Sequence, residues 1–240
     1  MINSDFIKYF KSIHIYPKMD ENQDDFTPST DSIIKWLGNF DTCYRKKLNI
    51  SEEENFTALY NRDLSIHGEG ILRYMEKIIK IASFSNTIGY TYSLTLSIKD
   101  IISNFDKVEH LITHHIIHSL GITILETEEI ETNGEFAQEC EKTLLKIADY
   151  KLNIGIVAQI ETLYKLNILS SPNFNSLIFT IFPINNKTEV NFEPLSVTSN
   201  TKNFKILINE DGLIYSCFEL FGQKEHALGS IYDFTEETPV

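Results

Sequence analysis

The sequence predicts an α+β fold: a helix-rich first two-thirds with a strand inserted near 88–98, followed by an antiparallel β-hairpin sheet. Three observations carry this expectation. Apolar positions recur three and four residues apart through much of the chain up to residue 166, and they alternate with a period of two over 88–99. After residue 170, short apolar runs are punctuated by Pro, Asn and Gly. The expected organisation is a helix-rich region over 1–170 and an antiparallel β region over 171–240, which could also be continuous as one domain.

The elements follow in order. Phe6, Ile7, Phe10 and Ile13 sit at helical spacing and predict a short amphipathic helix over 3–13. From Tyr16 to Ser29 the chain turns to Pro and acidic residues, which is loop chemistry, and Thr30 or Asp31 then caps a helix through Ile33, Ile34 and Leu37. Ser51 followed by Glu54 forms a capping-box pattern for a helix through Phe56, Leu59 and Tyr60. After Gly70, the positions Ile71, Leu72, Met75, Ile78, Ile79 and Ala82 form one apolar stripe, with Arg73, Glu76, Lys77 and Lys80 left for solvent.

Over Ile88–Lys99 the alternation of Ile, Tyr and Leu with Gly, Thr, Ser and Lys predicts a strand whose second face is hydroxylated and nearly uncharged. A helix is expected from Ile101 to about Leu120, ended by Gly121, with a short strand over 122–127. Asn133-Gly134 opens a long helix through Cys140, Leu144 and Ile147, and Ile156, Ile160, Leu163 and Leu166 predict a second, the two making a helical hairpin. Strand-like runs at 176–182, 188–193, 203–208 and 213–220 close the chain, and Asn209 to Gly212 supplies the turn of a hairpin.

Composition narrows the function classes. The formal charge of −13 repels phosphate backbones and anionic lipid, so neither nucleic acid nor a membrane is an expected partner. The one dense basic group, Arg45-Lys46-Lys47, reads as dipole compensation at a helix end. Cys43, Cys140 and Cys217 are odd in number and widely spaced, which fits reduced thiols. The start Met-Ile-Asn-Ser-Asp lacks signal-peptide character and no run reaches the roughly 18 apolar residues of a span, so a cytoplasmic location is expected; signal-less export would leave the same sequence.

Two constellations stand out. His110, His114 and His118 fall on one stripe if the helix continues, and imidazoles one turn apart can share a divalent metal such as zinc, given a further acid from another segment. The metalloprotease pattern is broken because position 115 is His. The second is the hydroxylated strand, whose Tyr90, Thr91, Ser93 and Thr95 are candidate binding residues. His67-Gly68-Glu69-Gly70 reads as ordinary loop chemistry before a helix, and no Gly-x-Ser-x-Gly elbow is present.

The expected function is therefore a non-enzymatic protein-binding role as an assembly component, adaptor or inhibitor. It needs no cofactor, its partner is another protein with a basic surface, and a homo-oligomer is compatible with it. The alternative is a metal-assisted hydrolase using the His110, His114 and His118 row.

Overall fold

The structure is a computed structural model, and it describes residues 10–20, 22–48, 62–150, 152–166, 179–183 and 204–233. In chain order the elements are β1 (Phe10–Ile15), α1 (Thr30–Leu48), β2 (Asp63–His67), a 3-10 turn (Ile71–Tyr74) leading into α2 (Met75–Thr87), β3 (Thr91–Ser97), α3 (Ile98–Ser103) and α4 (Phe105–Thr113). There follow β4 (Ser119–Ile124), α5 (Thr127–Thr132), α6 (Gly134–Ala148), β5 (Asn153–Ala158), α7 (Ile160–Lys165), β6 (Phe179–Pro183), β7 (Phe204–Ile208), β8 (Leu213–Tyr215) and β9 (Gly229–Ser230).

The fold class is α/β: strands that are mostly parallel alternate with helices, which overturns the expected α+β arrangement of a helical region followed by an antiparallel hairpin sheet. The physical reason lies in short apolar runs. A strand of five or six residues flanked by helices has the same composition as a buried helical turn, and period alone does not separate them. Ile154–Ala158 illustrates this, since Ile156 continues a helical spacing on paper yet lies in β5.

The chain divides into two compact units, one formed by residues 1–68, 73–92 and 196–240 and the other by residues 69–72 and 93–195. In the first, the strand order is β2-β1-β7-β8-β9, with β1 parallel to both β2 and β7 and the remaining pairs antiparallel. Strand alternation sends Ile13, Ile15, Leu64, Ile66, Ile206 and Ile208 to one face, where all six are 0% exposed. Ile33, Trp36, Leu37 and Phe40 of α1 and Ile78 and Ile81 of α2 are buried with them.

Residues 10–15 are thus a strand and not part of the expected helix, because Ser12 and His14 alternate with Ile13 and Ile15. Ser29 Oγ accepts the Ser32 amide at the start of α1, and Arg45, Lys46 and Lys47 occupy its last turn, where they offset the helix dipole. The β7–β8 hairpin forms as expected. Asn209 Oδ1 accepts the amides of Asp211 and Leu213 at 3.1 and 2.8 Å, and Gly212 takes φ +75°.

In the second unit the order is β6-β5-β4-β3, all parallel and sequential. Sequential parallel neighbours joined by right-handed crossovers place every connecting helix on the same face. That face carries Leu94, Leu96, Leu120, Ile122, Ile124, Ile154, Ile156 and Ala158, all buried. Asn133 caps α6 by accepting the amides of Glu135 and Phe136, and Ser97 caps α3 by accepting that of Asp100.

Local expectations differ from the structure in three further places, the first being the strand expected over 88–99, which spans only Thr91–Ser97 because Ile98 and Lys99 open α3. The helix expected to reach Leu120 stops at Thr113, and Gly121 lies inside β4. The expected helical hairpin over 134–166 is a helix, a strand and a short helix. The expected elements over 3–9, 51–60 and 188–193 lie outside the described residues. Among the described residues no helix is long and apolar enough to cross a membrane.

Candidate functional site

In the second unit, the face of β3, β4 and β5 turned away from the helices is built of small residues. The register aligns three rows: Ser93, Ser119 and Asn153; Thr95, Gly121 and Gly155; Ser97, Thr123 and Val157. Burial along β4 and β5 alternates between these half-open or exposed positions and the buried residues facing the helices. The hydroxyls of Ser93 and Ser119 bond across the strands, and Thr123 Oγ1 donates to the Leu96 carbonyl at 3.3 Å. The two glycines differ. A Cβ on Gly121 would stand 2.5 Å from Thr95 Oγ1, whereas a Cβ on Gly155 would meet nothing within 4 Å among the described residues. Thr95 therefore fills the space over Gly121 and leaves an open floor over Gly155.

The rim at the carboxyl ends of these strands is acidic. Glu128, Glu131 and Glu135 are exposed there, and Glu129 forms a 2.6 Å ion pair with Lys99. The hydrogen bond that Lys99 donates to the Glu129 carboxylate holds the Lys99 pKa above its ordinary value.

The four candidate binding residues divide. Ser93 and Thr95 lie on the small-residue face just described. Tyr90 and Thr91 belong to the first unit. Tyr90 is 3% exposed, and Thr91 Oγ1 donates to the Arg62 carbonyl at 3.0 Å and to the Asp63 carboxylate. The Arg62 guanidinium lies 3.7 Å from the centroid of the Tyr44 ring, while Asp41 pairs with Arg45 at 2.7 Å. Burial lowers the Arg62 pKa and raises those of Asp41 and Tyr90, and the attractions among these groups oppose each shift.

The candidate metal row is not one stripe. His110 is in the last turn of α4, His114 follows the helix end, His115 takes φ +55°, and His118 precedes β4. The rings of His110 and His114 are 4.1 Å apart and exposed, with His114 Nδ1 3.0 Å from the His110 carbonyl. Among the described residues there is no group of three or more His, Cys, Asp or Glu side chains that could hold a metal ion. Cys43, Cys140 and Cys217 are free thiols, and burial pushes the Cys140 pKa up to about 12.

One constellation escaped sequence reasoning altogether. On the polar face of β1, β2 and β7, His14 Nδ1 lies 2.9 Å from His67 Nε2, and Ser12 Oγ lies 3.0 Å from His14 Nε2. The His67 ring stacks on Tyr16 at 4.4 Å, and Phe221 lies 5.0 Å from Tyr16. Phe218 packs edge-on to both His14 and Tyr16 at 6.4 Å. Burial drives the His14 pKa well below its ordinary value and brings that of His67 to about 3, with the Lys205 ammonium adding to both effects. The available signal was the period-two pattern of Ser12, Ile13, His14 and Ile15. His67 ends β2 and is no loop residue, but its partner is 53 positions away.

No family model, no curated protein and no solved structure matches the chain.

Proposed function

We propose that this chain is a non-enzymatic, cytoplasmic protein-binding protein that receives an extended, basic segment of another protein across the face of β3, β4 and β5. The observation that carries this reading is the open floor over Gly155 in a sheet face of hydroxyls and glycines. A glycine within a strand lets another backbone approach closely, and neighbouring hydroxyls can bond an incoming main chain without demanding a particular side chain. Parallel sheets usually have both faces covered, so a half-open one suits a partner. The acidic rim of Glu128, Glu131 and Glu135 favours a cationic segment and speeds its encounter.

The test is site-specific photo-crosslinking inside producing cells from Val157, which borders Gly155, with Glu141 on α6 as the control position. Adducts to one basic polypeptide from position 157 alone, abolished by Gly155→Leu, are the expected result. Equal labelling from both positions, or labelling that survives Gly155→Leu, sinks the reading. Adducts with a second copy of this chain replace the foreign partner by self-association.

A further inference from the structure

Two neutral imidazoles joined by a hydrogen bond have few ways to place their protons. Burial keeps His14 and His67 neutral near pH 7, so together they carry two N–H protons, one of which occupies the bond between His14 Nδ1 and His67 Nε2. If His67 Nε2 donates, His14 donates from Nε2 to Ser12 Oγ, and the Ser12 hydroxyl proton is left for another acceptor. If His14 Nδ1 donates, Ser12 donates to His14 Nε2, and the spare donor becomes His67 Nδ1–H. A single donor is presented at one end of the chain or the other. A ligand that takes it sets the tautomer of both rings.

The Ser12 end lies beside a cation. Ser12 and Lys205 are register partners on β1 and β7 and therefore share a face. Lys205 is half-buried, and among the described residues its charge has the Phe218 ring at 5.9 Å but no carboxylate in hydrogen-bond or ion-pair contact. The acid of the same row, Asp63, accepts the Thr91 hydroxyl. A half-buried ammonium without a described carboxylate partner, next to a hydroxyl and two imidazoles, matches the needs of a bound anion. His14, Tyr16, His67 and Lys205 retain partial exposure, and Ser12 beside them is 8% exposed.

We propose that Ser12 and Lys205 form a binding site for an oxyanion, phosphate or carboxylate, in which the Ser12 hydroxyl donates to the anion and Lys205 supplies the countercharge. Occupancy selects the tautomer with the proton on His67 Nε2 and a lone pair on His67 Nδ1. The site lies in the first unit and does not depend on the protein-binding reading of the second.

The test uses the full chain with labelled histidine and follows imidazole nitrogen shifts at pH 7.5 during titration with inorganic phosphate and, separately, acetate, at constant ionic strength. The expected result is a saturable loss of the His67 Nδ1 proton with one or both anions, while exposed His110, His114, His115, His118 and His226 stay unchanged. Saturation by phosphate alone assigns a tetrahedral anion, and by acetate alone a carboxylate. Lys205→Gln weakens the effect by roughly tenfold or more. Ser12→Ala, which removes the donor with little change of volume, abolishes the tautomer change even if Lys205→Gln fails to fold. Shifts that never saturate or are shared by all seven histidines, or an unchanged response in Ser12→Ala, overturn the proposal.

Discussion

The polar sheet faces of the two units are made of different chemistry. The first unit sets ionisable groups on or near its sheet: His14, His67 and Lys205 on the polar face, Arg62 and Asp41 deeper in. In the second unit the buried polar residues among those described are Ser93, Ser97, Thr143 and Thr162, all hydroxyls, and the face carries two glycines. The difference teaches where each unit is vulnerable. A half-buried charge or imidazole responds to pH and to loss of its partner, whereas a hydroxyl and glycine surface responds to volume.

The largest effect is expected from Arg62→Ala, which leaves Asp41 buried with less compensation and strips the cation from the Tyr44 ring. Denaturant unfolding should show a loss of about 3–5 kcal/mol. If the loss is under about 1 kcal/mol, the distinction between the units fails at its strongest point. Next comes Gly121→Ala. Its Cβ has no room against the stiff, β-branched Thr95, so a cost of about 1–3 kcal/mol is expected, and Thr95→Ala in the same chain should recover most of it. Equal costs with and without Thr95→Ala would place the strain elsewhere.

Acid sharpens the comparison from the other side. The unfolded chain takes up protons on histidine near pH 6.5, whereas folded His67 resists down to about 3 and His14 is also shifted low. Their contribution to stability is thus complete above about pH 6.5 and is lost progressively as pH falls toward 3. A melting-temperature profile between pH 7 and 4 should fall less steeply in His67→Gln than in the parent, and parallel profiles would remove the imidazole pair from the account. The smallest effect is a gain. Gly155→Ala meets nothing within 4 Å among the described residues and restricts the unfolded chain, so it should stabilise by about 0.5–1 kcal/mol while obstructing any segment that lies on that floor.

Much local structure was legible. The helix after Gly70, the Asn133 cap and the Asn209–Gly212 turn each depend on residues within a few positions of one another and appear where expected, while the strand expected over 88–99 appears over Thr91–Ser97. The hydroxylated side of β3 was also readable, because alternation is a local property, but not that Ser93 and Ser97 on it are buried while Thr95 stays half-open. By contrast, the helix stop at Thr113 hangs on His115 adopting φ +55°, which no residue type announces, and it disperses the expected histidine stripe.

What the sequence by itself determined is the placement of turns and caps and the alternation of individual strands, since these arise from backbone and side-chain preferences acting over a few residues. Tertiary structure alone decided that β1 pairs in parallel with β2 and β7, and that His14 meets His67 with Ser12 and Lys205 alongside. Pairing direction and register follow from how crossovers return the chain to the sheet, and that choice is made between segments separated by scores of residues, where local periodicity carries no information.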